Sequence, residues 1–254
     1  MKRFGRKGQL AMLPDWISSK LDVHLLETDR LLALAQAETP PGSRVLDAGS
    51  GEGQYRHYFE HTRYTGVDLA VGDVQWDYSG LDTQADLSRM PFVAGSFDAA
   101  VCFQVLEHVN EPARVINEVG RVLRPGGRFY LSAPMAWHQH QKPHDFFRYT
   151  SYGFTYLLEN AGMRVVEMRP WGGYFWFLSY NFQMMHDRLF PRGDNDLAYL
   201  LKLPLILPVY LIFFILLPLL LFYLDRLDKV KDHTLGWACI AEKLPTDEHG
   251  PTPV

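Results

Sequence analysis

Residues 45–55, VLDAGSGEGQY, set a carboxylate, Asp47, two positions ahead of Gly49, Gly51 and Gly53. A glycine loop of this kind lets the backbone approach a ligand closely. The dinucleotide fingerprint G-x-G-x-x-G fails, because its last position counted from Gly49 is Gln54. A carboxylate ahead of the loop would also repel phosphate, and it suits a ligand carrying an ammonium and a sulfonium. Two more acids follow in order. Asp68, with Leu69 behind it, lies about 20 residues beyond the loop, where a carboxylate can accept both hydroxyls of a ribose. Asp86 precedes Leu87, a pairing that offers an acceptor to an adenine amino group and an apolar wall to its ring. Singly, each acid reads as a solvated loop residue. Their placement at the ends of three successive strand-like segments favours ligand contacts.

The elements that must position these groups alternate from residue 44 to residue 170. RVLDA, RYTGVDL, TQADL, SFDAAVCFQV, RFYLSAP and MRVVEMRP read as strands, and QYRHYFE, EPARVINEVGRVL and TSYGFTYLLENAG as helices, the last closed by Gly162. The apolar runs of the first and fourth strands lack alternation, as buried parallel strands do. The pattern predicts an α/β fold, doubly wound around a mostly parallel sheet. A leading helix over residues 16–38 ends at Pro40 and Pro41. A hydrophobic content of 47% in 254 residues is enough for one sizeable core. A net charge of -4 argues against a nucleic-acid partner bound through its phosphates. Cys102 and Cys239 both sit in apolar stretches and read as buried, reduced thiols. The basic residues Lys2, Arg3, Arg6 and Lys7 have no apolar run of signal-peptide length behind them, so no cleaved export signal is expected.

VLDAGSGEG, GVDLA, ADLSRMPFVAGSFDAAVCFQVLEHV and RVLRPGGRFYLSAP together resemble the class I S-adenosylmethionine-dependent methyltransferases, the type 11-like group that acts on small molecules, sugars and lipids. The resemblance covers residues 44–170 and extends to LGWACIAEK at 235–243. It implies a seven-stranded Rossmann-like sheet with an antiparallel last strand, and S-adenosyl-L-methionine as cofactor. It implies that Asp47, Gly49, Gly51 and Gly53 shape the methionine pocket and that Asp68 takes the ribose. Asp86 and Leu87 would flank the adenine, and Gln104 would lie beside the methyl donor. Residues 70–80, AVGDVQWDYSG, depart from the pattern: the usual helix there is hard to recognise.

A base is needed only where the methyl acceptor is a hydroxyl. His108, in LEHV at the start of the helix after the fourth strand, and His144 are the candidates. His144 belongs to WHQHQKPHDFFRYT, a substrate-loop candidate that also holds His138, His140, Asp145 and Arg148. An alternative makes Asp145 and Arg148 a structural pair bracing the loop, with Thr150 or Ser151 capping the next helix. His-x-His evokes a metal site, yet no Cys or carboxylate at matching spacing accompanies it, so no metal is expected.

The chain divides into a basic segment and leading helix (1–43), the cofactor-binding core (44–171), a hydrophobic insertion (172–233), the final strand (234–245) and a flexible tail (246–254). Residues 203–224 are free of charge, and at about 1.5 Å per residue such a run can cross a bilayer of about 30 Å. A single crossing would strand the last β-strand on the wrong side. Pro204, Pro208 and Pro218 therefore suggest a run that bends and re-enters one leaflet, beside an interfacial helix at 172–190 bearing Trp176, Phe177 and Tyr180. The expectation is a monotopic enzyme on the cytoplasmic face of a membrane, contacting lipid through residues 172–230. It would methylate a polyprenyl-linked glycan, a quinone or a lipid headgroup. Two alternatives stand beside it: a methyltransferase acting on a soluble sugar or nucleotide sugar of surface-polysaccharide synthesis, and a membrane-bound scaffold without catalysis.

Overall fold

The computed structural model describes residues 14–72, 76–189, 204 and 207–245. The basic N-terminal residues, residues 190–203 of the insertion and the tail 246–254 lie outside the described residues. Two compact units form, one from the described parts of Thr28–Arg169 and Gly236–Val254, the other from those of Met1–Glu27 and Pro170–Leu235.

The first unit is built on a seven-stranded sheet. Its strands are β1 (Arg44–Ala48), β2 (Arg63–Asp68), β3 (Thr83–Gln84), β4 (Phe97–Phe103), β5 (Leu123–Pro134), β6 (Met163–Pro170) and β7 (Gly236–Lys243), in the order β3-β2-β1-β4-β5-β7-β6. β1 pairs in parallel with β2 and β4, β2 with β3, and β4 with β5, whereas β7 runs antiparallel to β5. This is the α/β sheet the resemblance implies. Val45, Leu46, Ala100, Val101 and Cys102 are fully buried, which accounts for unbroken apolar runs in β1 and β4. Because β2 and β4 flank β1 on opposite sides, the strand order reverses there. Loops leaving β1 and β4 then diverge, and a crevice opens at their carboxyl ends.

Several local expectations change. The leading helix is two helices, α1 (Asp15–Leu21) and α2 (Val23–Glu38), interrupted at Asp22, whose Oδ1 accepts the Leu25 N–H at 3.4 Å. QYRHYFE makes only a 3₁₀ turn at Arg56–Phe59. TQADL pairs only through Thr83 and Gln84, because Asp86 then turns the chain by accepting the Ser88 N–H at 2.8 Å. His108 lies in a 3₁₀ turn, Leu106–His108, ahead of α3 (Pro112–Val122), which starts at a proline whose missing N–H costs nothing there. Of the two capping candidates, Thr150 is the one used: its Oγ1 accepts the Gly153 N–H at 3.1 Å at the head of α4 (Ser151–Asn160). Cys102 and Cys239 are buried and unpaired, as expected.

The second unit contains α1, α5 (Tyr174–Leu189) and α6 (Leu207–Leu227). Among the described residues α6 alone is long and apolar enough to cross a membrane. The helical hydrogen bonding runs on through Pro218. The missing proline N–H is accommodated by a π-helical stretch, Leu211–Leu216, in which the Leu217 N–H bonds back to the Ile212 carbonyl. Phe214, Pro218, Leu221 and Asp225 face inward at spacings of four, three and four, and Phe214 packs on Leu21 of α1. Asp225 accepts the Gly173 and Trp176 N–H groups at 3.0 and 3.2 Å and the Lys231 ammonium at 2.5 Å, tying the start of α5 to the end of α6. Trp176 stacks on Phe222 and Tyr180 is buried, so the expected headgroup-facing trio loses Tyr180 to packing.

Candidate functional site

Asp47 is the penultimate residue of β1, with its Cα in register with Val101 of β4 and Gly66 of β2. Its side chain is 1% exposed. Tyr64 of β2 donates its hydroxyl to Asp47 Oδ2 at 2.5 Å. Burial pushes the Asp47 carboxyl up to about 7; the Tyr64 hydrogen bond and the Arg56 charge oppose this, while Asp68 adds to it. A carboxyl held in this way strongly prefers a cationic neighbour.

The three glycines all have positive φ, at 86°, 53° and 75°. Gly49 is the tightest of them. A Cβ there would lie 2.3 Å from Val105 Cγ2, so the close approach of the β1 and β4 loops demands glycine. Asp68, at the end of β2, accepts the Gly51 N–H at 3.0 Å and the Ala70 N–H at 2.8 Å, which fixes the glycine loop over the second strand. Leu69 is exposed beside it. The departing segment 70–80 carries no helix among its described residues beyond a 3₁₀ turn at Tyr78–Gly80. Trp76 fills that space instead, so that a Cβ on Gly51 would meet Trp76 Cζ3 at 3.3 Å.

On the other side of the crevice, Gln104 follows β4 with φ 57°, a left-handed conformation that costs a residue with a Cβ and marks a constrained position. Its Nε2 is buried without a hydrogen-bond partner. Asp86 is exposed after β3, and Leu87 sits in the main core. These observations test the fit of S-adenosylmethionine. A buried carboxyl stands where its ammonium would go, the glycine loop has positive φ at all three glycines and admits no Cβ at Gly49, Asp68 sits at the end of the second strand, and an orphaned amide donor waits after the fourth. The residues fit the cofactor. Tyr64 and Trp76 escaped the sequence reading, since an aromatic in a strand or loop carries no motif.

The histidine loop closes over the turn after β4. His108 Nδ1 meets the His144 carbonyl oxygen at 2.5 Å, and its Nε2 faces His140 Nε2 at 3.1 Å. Burial holds the His108 pKa below its ordinary value, His140 adds to this and the His144 carbonyl opposes it. His144 therefore contributes its backbone; its ring is exposed, as is that of His138. Arg148 grips Asp145 with both terminal nitrogens, at 2.6 and 2.8 Å, and donates to the carbonyls of Trp137 and His138. The Arg148 guanidinium, the largest influence on Asp145, holds its carboxyl well below the usual range. This is the bracing pair foreseen as an alternative. Glu107, unnoticed in the sequence, is fully buried under the two rings, and burial raises its carboxyl to about 8.

Residues 46–131 match a family described as "Methyltransferase domain". A relative from Xanthomonas axonopodis pv. citri (strain 306), named ubiquinone biosynthesis O-methyltransferase, is 34% identical over 124 residues, covering 43% of this chain and 51% of that protein. The chain thus spans about half the length of the relatives it matches. A [4+2]-cyclase superposes with TM-score 0.53 at 20% identity, covering 85% of this chain and 80% of its own. A phosphoethanolamine N-methyltransferase from Haemonchus contortus, solved with S-adenosyl-L-methionine, gives 0.52 at 16% identity over 85% and 53%. At such identities the structures share the fold alone.

Proposed function

We infer that this chain, whose residues 46–131 match a methyltransferase-domain family, transfers a methyl group from S-adenosylmethionine to an acceptor held in or at a membrane. When bound, the cofactor supplies a methyl group on a sulfonium, already electrophilic toward an oxygen, nitrogen or carbon nucleophile. The work left to the protein is alignment and exclusion of water. Asp47 would pair with the ammonium, the glycine backbone would line the methionine moiety, Asp68 would take the ribose hydroxyls, and Asp86 would reach the adenine edge. Gln104, whose buried amide nitrogen has no hydrogen-bond partner, would lie beside the reacting end.

The observation that carries the membrane half is a stripe on α6. Leu207, Leu211, Leu216, Leu220, Tyr223 and Leu227 are all exposed and recur at spacings of three to five, so they form one continuous apolar face opposite the buried one. Such a face is costly in water and favourable in lipid. Both ends of the insertion return to one sheet, since β6 precedes it and β7 follows it between β5 and β6. The insertion must therefore enter and leave from the same side, the cytoplasmic face in this reading. A relative that bears a quinone in its name supports a lipid-soluble ring as acceptor.

Two measurements test the halves separately. Calorimetric titration with S-adenosylmethionine should show binding that Asp47→Ala abolishes. Flotation with anionic phospholipid vesicles should carry the full chain upward and leave a Leu216→Asp/Leu220→Asp variant at the bottom. Unchanged flotation of that variant would remove the membrane reading and favour a soluble sugar acceptor.

A further inference from the structure

The turn after β4 and the histidine loop bring together three ligand atoms that the methyl-transfer reading does not use. His108 Nε2 and His140 Nε2 are 3.1 Å apart, and Glu107 Oε1 lies 3.7 Å from the first and 3.8 Å from the second. A point equidistant from three atoms with these separations sits about 2.1 Å from each, the bond length of a zinc or similar ion to imidazole nitrogen and carboxylate oxygen. The triangle already has the size of a coordination face.

Proton positions favour the same conclusion. His108 Nδ1 faces the His144 carbonyl oxygen at 2.5 Å, and His140 Nδ1 faces the His138 carbonyl at 3.2 Å and Asp145 Oδ2 at 3.6 Å. Both Nδ1 atoms are thus donors toward oxygen, which leaves a lone pair on each Nε2. Two lone pairs facing each other at 3.1 Å repel unless something positive lies between them, either a proton, as in an imidazolium–imidazole hydrogen bond, or a metal ion; the buried carboxylate beside them distinguishes the two. Carbonyl or carboxylate partners behind a histidine are the usual outer shell of a metal ligand.

Glu107 supplies the independent observation. It is completely buried, and both of its oxygens lack a hydrogen-bond partner. An ionised carboxylate in that position costs several kcal/mol unless a cation neutralises it, by roughly the penalty of burying an unpaired charge. A protonated carboxyl does not resolve the problem, because the nearest imidazole nitrogens are beyond hydrogen-bond distance.

The geometry points to a binding site for one divalent first-row transition ion, zinc or iron(II) by donor type, held by Glu107, His108 and His140. Two imidazoles and one carboxylate suit these ions better than magnesium or calcium, which prefer all-oxygen shells. Three protein ligands leave at least one position open for a further oxygen donor. From the sequence no metal was expected, because no carboxylate accompanies His-x-His locally; Glu107 belongs to another segment, 33 residues before His140. The fold supplies the missing ligand.

The test uses the full chain without a histidine tag, stripped by chelator and then titrated with zinc chloride against a chromophoric competitor. Cobalt(II) loading follows as a visible-absorption probe. One ion per chain is expected. Glu107→Gln and His140→Ala should each weaken zinc binding by about a hundredfold or more, whereas His138→Ala should bind as the parent does. Thermal unfolding shows which variants fold; His108→Ala replaces any that does not. Zinc binding no tighter in the parent than in His140→Ala, or equal loss in His138→Ala, would overturn the site. Neither readout involves methyl transfer, so failure here leaves the activity standing, and failure of the activity leaves the site standing.

Discussion

Asp47 carries the sharpest consequence at the scale of single residues. Its carboxyl titrates near 7 because burial disfavours the charge, whereas a cationic ligand requires the ionised form. S-adenosylmethionine should therefore bind more tightly as the pH rises from 6 to 8, by roughly tenfold per unit well below the midpoint and levelling above it. Isothermal titration across that range shows the slope, and Asp47→Asn should abolish it. Tyr64→Phe removes the hydrogen bond that favours the ionised carboxylate, so the midpoint of the same curve should move upward. A raised folded-state value also works against the free protein: Asp47 contributes stability below about 4 that is lost as the pH rises through about 7. Bound cofactor should reverse that trend. Gly49→Ala meets two penalties, a left-handed φ of 86° and the Val105 side chain 2.3 Å from the new Cβ. The cost should be about 2 kcal/mol or more in denaturant unfolding, with cofactor binding lost in parallel.

At the scale of elements, Asp225 shows how the insertion is held together. It is almost fully buried, accepts two N–H groups at the head of α5 and pairs with Lys231. Replacing it with Ala leaves an ammonium and a helix start without their acceptor, at a cost of about 3 kcal/mol. Limited proteolysis should then cut within α5 or α6 sooner than in the parent. The strands of the core were readable from the sequence because buried parallel strands write themselves as aliphatic runs, and the final strand was expected from the family resemblance. The helix expected at residues 54–60 was not, since Arg56 turns instead toward Asp82, at 2.6 Å, and the carbonyl of Gly80, partners that no local pattern reveals. Glycines and acids of the cofactor crevice were legible for the opposite reason: a tight turn and a placed charge leave residue types that few other demands leave. Glu107 and Tyr64 were not, because their significance lies in what the fold sets beside them.

Taken as a whole molecule, the chain joins a sheet that presents a cofactor crevice to an insertion whose outward face is apolar over six turns' worth of spacing, from Leu207 to Leu227. The fold by itself does not choose the reaction, as a cyclase on the same scaffold makes plain. The buried carboxyl, the glycine loop and the exposed stripe are what support the choice proposed above. Transfer of a labelled methyl group from S-adenosylmethionine into a total extract of the source cells, partitioned between organic solvent and water, tests it most directly. Label in the organic phase that disappears with Asp47→Ala is the predicted result; label confined to water, or label that survives the substitution, would contradict it.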